Sequence, residues 1–187
     1  MSLRDKMVET MYKAATSSLR TRILLTPLGP IVFSVLIWLF IVMFLQVDKV
    51  LGFPKLFSPF LSLIISIPIM VVGLFFWTWS FVHFIRAKGT PVPFNPPPIL
   101  VATGPYVYVR NPMVIGLSIV LLGFSILLRS ITLTFIFTPL FVLLNAWELK
   151  AIEEPELEKR LGKEYIEYKK KVPMFIPRLK GKAKIER

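Results

Sequence analysis

The sequence has 187 residues, is 55% hydrophobic with a mean hydropathy of +0.66, and carries a net charge of +12. It contains no cysteine and one histidine, which excludes disulfides and thiolate metal sites and argues against a metal centre. The apolar residues come in long blocks, so the basic excess reads as membrane topology and not as a nucleic-acid footprint.

Residues 1–22 set Leu3, Met7, Met11, Ala14, Ala15 and Leu19 at helical spacing among five basic side chains. That pattern predicts an amphipathic helix lying on the cytoplasmic membrane surface. The breaker cluster "LTPLGP" at 25–30 marks the bend into a first span. No small-residue cleavage pattern follows that first apolar run, so it is expected to stay as an anchor.

Four uncharged runs come next: 25 residues between Arg22 and Asp48, 30 between Lys55 and Arg86, 18 between Arg110 and Arg129, and 18 between Arg129 and Glu148. A bilayer core of about 30 Å takes about 20 apolar helical residues, and lipid leaves the helix as the spanning form for such runs. The prediction is an all-α, polytopic membrane protein with about four transmembrane helices near 28–47, 59–85, 112–128 and 130–149. The last two share so short a turn, at Arg129-Ser130, that they must form an antiparallel hairpin. The domain organisation expected is a surface helix over 1–22, a transmembrane domain over 23–149, and a C-terminal segment over 150–187.

Charge orients these spans. Twenty of the 23 Lys and Arg fall before the first span, between the second and third, or after Glu148; only Lys49, Lys55 and Arg129 fall on the other side. The positive-inside rule therefore puts both termini in the cytoplasm. Trp77 and Trp79 suit the aromatic belt at the cytoplasmic end of span two. The Lys-rich, Cys-free composition points to a prokaryotic plasma membrane.

The connection 87–111 holds six prolines, and its only charges are Lys88 and Arg110. Proline removes donors and forbids regular helix. Val92, Phe94, Ile99, Leu100 and Val101 make the segment too apolar for a solvated linker, so it reads as a fixed, interfacial, site-forming loop. Past Glu148, Leu157, Leu161, Tyr165 and Tyr168 recur on one helical face. Pro155 with Glu153, Glu154 and Glu156 suits a helix start, and Gly162 a break or cap. Loop and tail both fall on the cytoplasmic side and are expected to build one pocket.

Arg110 sits two residues before Pro112, which opens the third span. It either snorkels to headgroup phosphates or holds a carboxylate or phosphate in a fork of hydrogen bonds. Tyr106 and Tyr108 are either interface aromatics or a platform for a flat ring. Glu148 ends an apolar helix beside Trp147, and an acidic residue at that depth is a site candidate. His83, inside span two, reads as a hydrogen-bonded structural residue.

Together, "KGTPVPFNPPPILVATGPYVYVRNPMVIG" and, after a helical hairpin, "EEPELEKRLGKEYIEYKKKVPMFIPR" resemble the isoprenylcysteine carboxyl methyltransferase and phospholipid methyltransferase group of integral-membrane enzymes. The resemblance rests on an Arg-Asn-Pro element, an acidic pair and Gly-x-x-Tyr-x-x-Tyr in that order, and covers about 87–178. It implies S-adenosylmethionine as cofactor and a lipidic acceptor methylated at the membrane surface; such an acceptor is expected to enter sideways from the bilayer. It also implies a cofactor pocket formed by Gly89, Thr90, Pro91, Gly104, Pro105, Tyr106, Arg110, Asn111, Pro112, Glu153 and Glu154. The sequence departs from the family pattern at Ala87, Asn111 and Val114, where Gly, His and Tyr are usual. On this resemblance Arg110 holds the cofactor's carboxylate, Glu153 or Glu154 its ammonium or ribose hydroxyls, and Tyr106 or Tyr108 packs on its adenine. Arg110 and Glu148 are the candidate catalytic residues, Glu148 as base or as a group that steers a cation.

Isoprenylcysteine-type carboxylate methylation is the favoured reading and phospholipid N-methylation the alternative. An NADPH-dependent sterol-reductase-like protein and a non-catalytic membrane protein are the readings from other classes. Because the chain lacks cysteine, topology is directly testable. Single cysteines introduced at Arg110 and at Glu153 should both label from the cytoplasmic face, and labelling from opposite faces would exclude a shared pocket.

Overall fold

The computed structural model describes residues 2–90, 92 and 95–176, and among them every regular element is helical. Helix α1 (Leu3–Ala15) starts on a reciprocal cap, Ser2 Oγ accepting from Asp5 N and Asp5 Oδ2 from Ser2 N. Helix α2 (Leu19–Leu25) has its own cap, Ser18 Oγ accepting from Thr21 N. The single helix expected over 1–22 is therefore two. Ser17 turns its hydroxyl back onto Ala14 O, and Ser18 caps α2, both alternatives to continuing the helical ladder.

Helices α3 (Leu28–Val50), α4 (Pro59–Arg86) and α5 (Pro112–Leu127) coincide with the uncharged runs. A long helical stretch comes next: a π-helical turn at Leu133–Phe137, α6 (Thr138–Glu148), a second π-helical turn at Leu149–Glu153, and α7 (Glu154–Leu161). Gly162, at φ +62°, breaks the chain before α8 (Lys163–Lys171).

Three stretches among the described residues, Leu19–Val50, Pro59–Arg86 and Leu133–Leu161, are long and apolar enough to cross a membrane. The 16 residues of α5 rise only about 24 Å at 1.5 Å per residue, so it is a shorter apolar helix. The chain is a polytopic membrane protein. Its last long helix does not stop at Leu149 as the hydropathy suggested; helical hydrogen bonding runs on through the acidic residues to Leu161.

The chain divides into two compact units, one of residues 32–77 and 113–145, the other of 1–31, 78–112 and 146–187. The first has a core of Phe44, Leu121, Leu133, Phe137 and Phe141, with the Phe137 ring stacked on Phe40 at 5.5 Å and 5.3 Å from Phe44. Its α4 and α5 backbones touch. A Cβ on Gly116 would lie 2.6 Å from Trp77 N and 2.8 Å from Gly73 O, and one on Gly73 2.7 Å from Val120 N. Small residues permit this approach, which is how helices associate where lipid gives no hydrophobic drive.

The turn expected at Arg129-Ser130 is held from three sides. Asp48, buried at the end of α3, accepts from Ser130 Oγ at 2.5 Å and from Thr132 N at 3.1 Å, capping the start of the last helical stretch. Arg129 adopts φ +59°, a costly conformation for a side-chain-bearing residue. Its Nε donates to Phe57 O and its carbonyl accepts from Leu56 N. Gly116→Leu would drive a side chain into backbone that cannot yield. It should lower stability by about 1–3 kcal/mol or more, read as a fall in the unfolding midpoint in detergent.

Candidate functional site

The second unit contains the proline-rich loop and the tail, and the sequence dictates how each turn closes. Where prolines remove donors, the remaining polar groups pair locally: Thr90 N and Oγ1 both donate to Asn95 O, at 2.8 and 3.0 Å. Gly89 N donates to Phe84 O, and Gly89 packs so flat on Pro97 that a Cβ would come within 2.2 Å of Pro97 N. Pro91 lies outside the described residues.

Gly104 opens a 3₁₀ turn, Gly104–Val107, at φ +59°, where a Cβ would also sit 2.2 Å from His83 Nε2. Glycine is required there on both counts. His83 is the structural residue expected: its Nδ1 donates to Trp79 O at 2.8 Å, which fixes the ring against the loop. The turn buries Pro105 and Tyr106. The Tyr106 ring lies 5.3 Å from Phe84, and its carbonyl accepts from Tyr168 Oη at 2.7 Å. Tyr108 is 47% exposed, so of the two tyrosines it is the one with a free face.

The end of the loop docks on the tail. Arg110 N donates to Pro173 O at 2.9 Å and Asn111 N to Met174 O at 3.3 Å, just before Pro112 starts α5. The Arg110 guanidinium pairs with Glu154 through Nη2 and Oε1 at 2.8 Å, and both side chains are at least nine-tenths buried. Glu154 Oε2 meets Lys169 Nζ at 2.5 Å, and Lys169 also reaches Glu158 Oε1 at 2.9 Å. Arg110 Nη1 points to Lys169 O at 3.5 Å, while its Nε is buried without a hydrogen-bond partner.

The acidic residues depart from a simple helix-dipole role. Glu154 is engaged by Arg110 and Lys169, and Glu156 by Arg160 Nε at 2.7 Å. The Glu153 side chain has no hydrogen bond among the described residues and lies in the field of Glu148, Glu156 and Arg160. Glu148 ends α6 beside the exposed Trp147, and the π-helical turn separates it from Glu153.

Behind the pair, Tyr165, Tyr168 and Val172 form a small core with Leu100, Ala102, Leu157 and Leu161. The four apolar positions read as one helical face are thus divided by Gly162 between α7 and α8, yet they still share one small core with the loop. Burial, foremost, pushes the hydroxyls of Tyr106, Tyr165 and Tyr168 above the ordinary tyrosine range, so they remain neutral donors. For Lys169, burial opposes the charge, but hydrogen bonds to Glu154 and Glu158 outweigh it and raise the ammonium above the usual lysine range.

The structure therefore brings Arg110, Asn111 and Glu154 together with the tail, and holds Gly104, Pro105 and Tyr106 over His83 and Phe84. Gly89 and Thr90 form a separate turn. One feature differs from the sequence reading: Arg110 and Glu154 face each other, whereas the sequence pointed each toward a different end of one ligand. Lys169 escapes the sequence reading because nothing in "YKKK" distinguishes it from its neighbours before the helix phase is known.

The family described as phospholipid methyltransferase matches residues 61–164, more than half of the chain. The protein-S-isoprenylcysteine O-methyltransferase of Schizosaccharomyces pombe is 35% identical over 102 residues, covering 52% of this chain and 39% of that protein. The chain thus spans about two-fifths of the length of that relative. No solved structure matches it. On the extent of the family match, the chain belongs to the phospholipid methyltransferase family of membrane enzymes.

Proposed function

We propose that the chain uses S-adenosylmethionine to methylate a lipidic acceptor at the cytoplasmic membrane face, with both termini on that side. The observation that carries this reading is the Arg110–Glu154 pair with its unsatisfied Arg110 Nε. Burying an ion pair costs several kcal/mol per ion in desolvation, and an apolar pair of similar volume often does as well. A buried guanidinium that still lacks a partner on one nitrogen is therefore poor as a stabilising device and well suited to accept a carboxylate.

The residues present fit the cofactor. Arg110 would receive its carboxylate at Nε, with Glu154 and Lys169 fixing the guanidinium from behind. Glu153, whose side chain makes no hydrogen bond among the described residues, would take its ammonium or ribose hydroxyls, since both Glu154 oxygens already face cations of the protein. Tyr108 would pack on the adenine, its ring being exposed where that of Tyr106 is already covered by Phe84. Gly104, Pro105, Asn111 and Pro112 would shape the backbone around it, and Gly89 and Thr90, in their own turn, would complete the pocket. When bound, the cofactor supplies an electrophilic methyl group. The protein's part is alignment, and holding two reactants at near-attack distance contributes up to about 7–11 kcal/mol.

For the acceptor, the name of the yeast relative favours an isoprenylcysteine-type carboxylate, which is ionised at neutral pH and needs no base. The half-buried Glu148, in the field of Glu153, favours a second reading. That negative charge suits an amine headgroup, with Glu148 taking its proton.

Arg110→Ala should abolish S-adenosylmethionine binding measured by calorimetry in detergent; unchanged affinity removes Arg110 from this role. Glu154→Gln leaves Arg110 and Lys169 facing a neutral group. It should cost about 3–5 kcal/mol, lowering the unfolding midpoint and weakening the stabilisation that saturating cofactor gives the wild type. Membranes incubated with methyl-labelled cofactor decide the acceptor. Label released by mild base as methanol marks a carboxyl ester, and base-stable label in phospholipid marks an N-methyl product.

A further inference from the structure

The run Asn95-Pro96-Pro97-Pro98 offers carbonyl acceptors but almost no backbone donors. Acceptors inside a folded unit must be satisfied from elsewhere. Two guanidinium groups from elements far apart in sequence do this. Arg22, in α2, donates through Nη2 to Pro96 O at 3.1 Å and to Asn95 Oδ1 at 2.8 Å. Arg160, in α7, donates through Nη1 to Pro97 O at 2.9 Å, while its Nε is held by the buried Glu156 at 2.7 Å.

Both contacts lead to the arm that carries Gly89 and Thr90. Asn95, gripped by Arg22 through its side chain, accepts both hydrogen bonds of Thr90 through its carbonyl. Pro97, gripped by Arg160, is the residue on which Gly89 lies flat. Displacing 95–97 would therefore displace 89–90. The preceding helix, α1, is itself anchored to the neighbourhood of Arg160. Arg4 Nε donates to Ala151 O, Glu9 pairs with Lys159, and Lys159 lies 4.2 Å over the Tyr12 ring.

We propose that Arg22 and Arg160 are positioning residues, holding the proline-rich turn by its carbonyls and so fixing Gly89 and Thr90 for the cofactor. Arg22 lies outside the residues matched to the family, 61–164, whereas Arg160 lies within them. The inference rests on the assignment of Gly89 and Thr90 to the S-adenosylmethionine site. Arginine is required because a planar fork reaches Glu156 and Pro97 at once, which a lysine ammonium on a single stem does not do.

The test uses the full chain in detergent, with Arg22→Gln, Arg160→Gln and the corresponding Lys variants. Amide exchange at Thr90 and Asn95, measured without cofactor, should rise about ten-fold in the Gln variants, as expected for the loss of a charge-assisted hydrogen bond. The Kd and KM for S-adenosylmethionine should rise about ten-fold, with kcat at saturation and the acceptor KM unchanged and Lys restoring part of the loss. Unchanged exchange overturns the proposal, as does faster exchange with unaltered cofactor affinity. Should either Gln variant fail to fold, Asn95→Ala, which removes only the side-chain acceptor, carries the same expectations at smaller size. Wild-type protein that binds no S-adenosylmethionine would sink the cofactor reading, while the exchange measurement still decides whether the two arginines hold the loop.

Discussion

The unit that holds the candidate site depends on one buried contact, the guanidinium of Arg110 against the carboxylate of Glu154. Around it the loop's last residues lie on the tail through two backbone hydrogen bonds, from Arg110 N and Asn111 N to Pro173 O and Met174 O. Lys169 closes the other side of Glu154. Loop and tail are more than 40 residues apart in sequence, so closing that distance costs chain entropy, and the core of Tyr165, Tyr168 and Val172 supplies the apolar burial that offsets it. The charged pair then sets which residues meet, a matter of register more than of stability.

Proline shapes the rest of that unit by subtraction. A segment that cannot donate to itself must be held by its surroundings, and here Thr90, Arg22 and Arg160 supply the donors. In the other unit the equivalent economy is in side-chain volume: Gly73 and Gly116 let two helices touch where lipid would otherwise separate them. Asp48 then caps the last helical stretch from the end of α3. Each unit thus solves by residue choice a problem that its environment creates.

Much of this architecture is legible in the sequence. Charge-free runs locate the long helices because bilayer thickness imposes a length on them. The apolar spacing of Leu157, Leu161, Tyr165 and Tyr168 picks out the residues that share a core with the loop, although Gly162 divides them between two helices. Where the pattern falls short, local chemistry competes with it. Ser17 and Ser18 divide a helix that the apolar spacing alone would continue. The last long helix outruns its hydrophobic stretch because Glu and Lys are good helix formers even beyond the apolar boundary. The direct pairing of Arg110 with Glu154, and the choice of Lys169 among three consecutive lysines, depend on helix phase and tertiary approach, which composition does not encode.

The π-helical turn at Leu149–Glu153 sets that phase. Such a turn accommodates one residue more than an α-helix would, and each residue advances the helix by about 100°. Glu153 and Glu154 are consequently rotated relative to Trp147 and Glu148 from where an unbroken α-helix would aim them. The carboxylate that meets Arg110 is thus selected by a count of backbone atoms, not by any side chain. A lineage that gained or lost a single amino acid in this stretch would re-aim its entire acidic face while keeping every functional group.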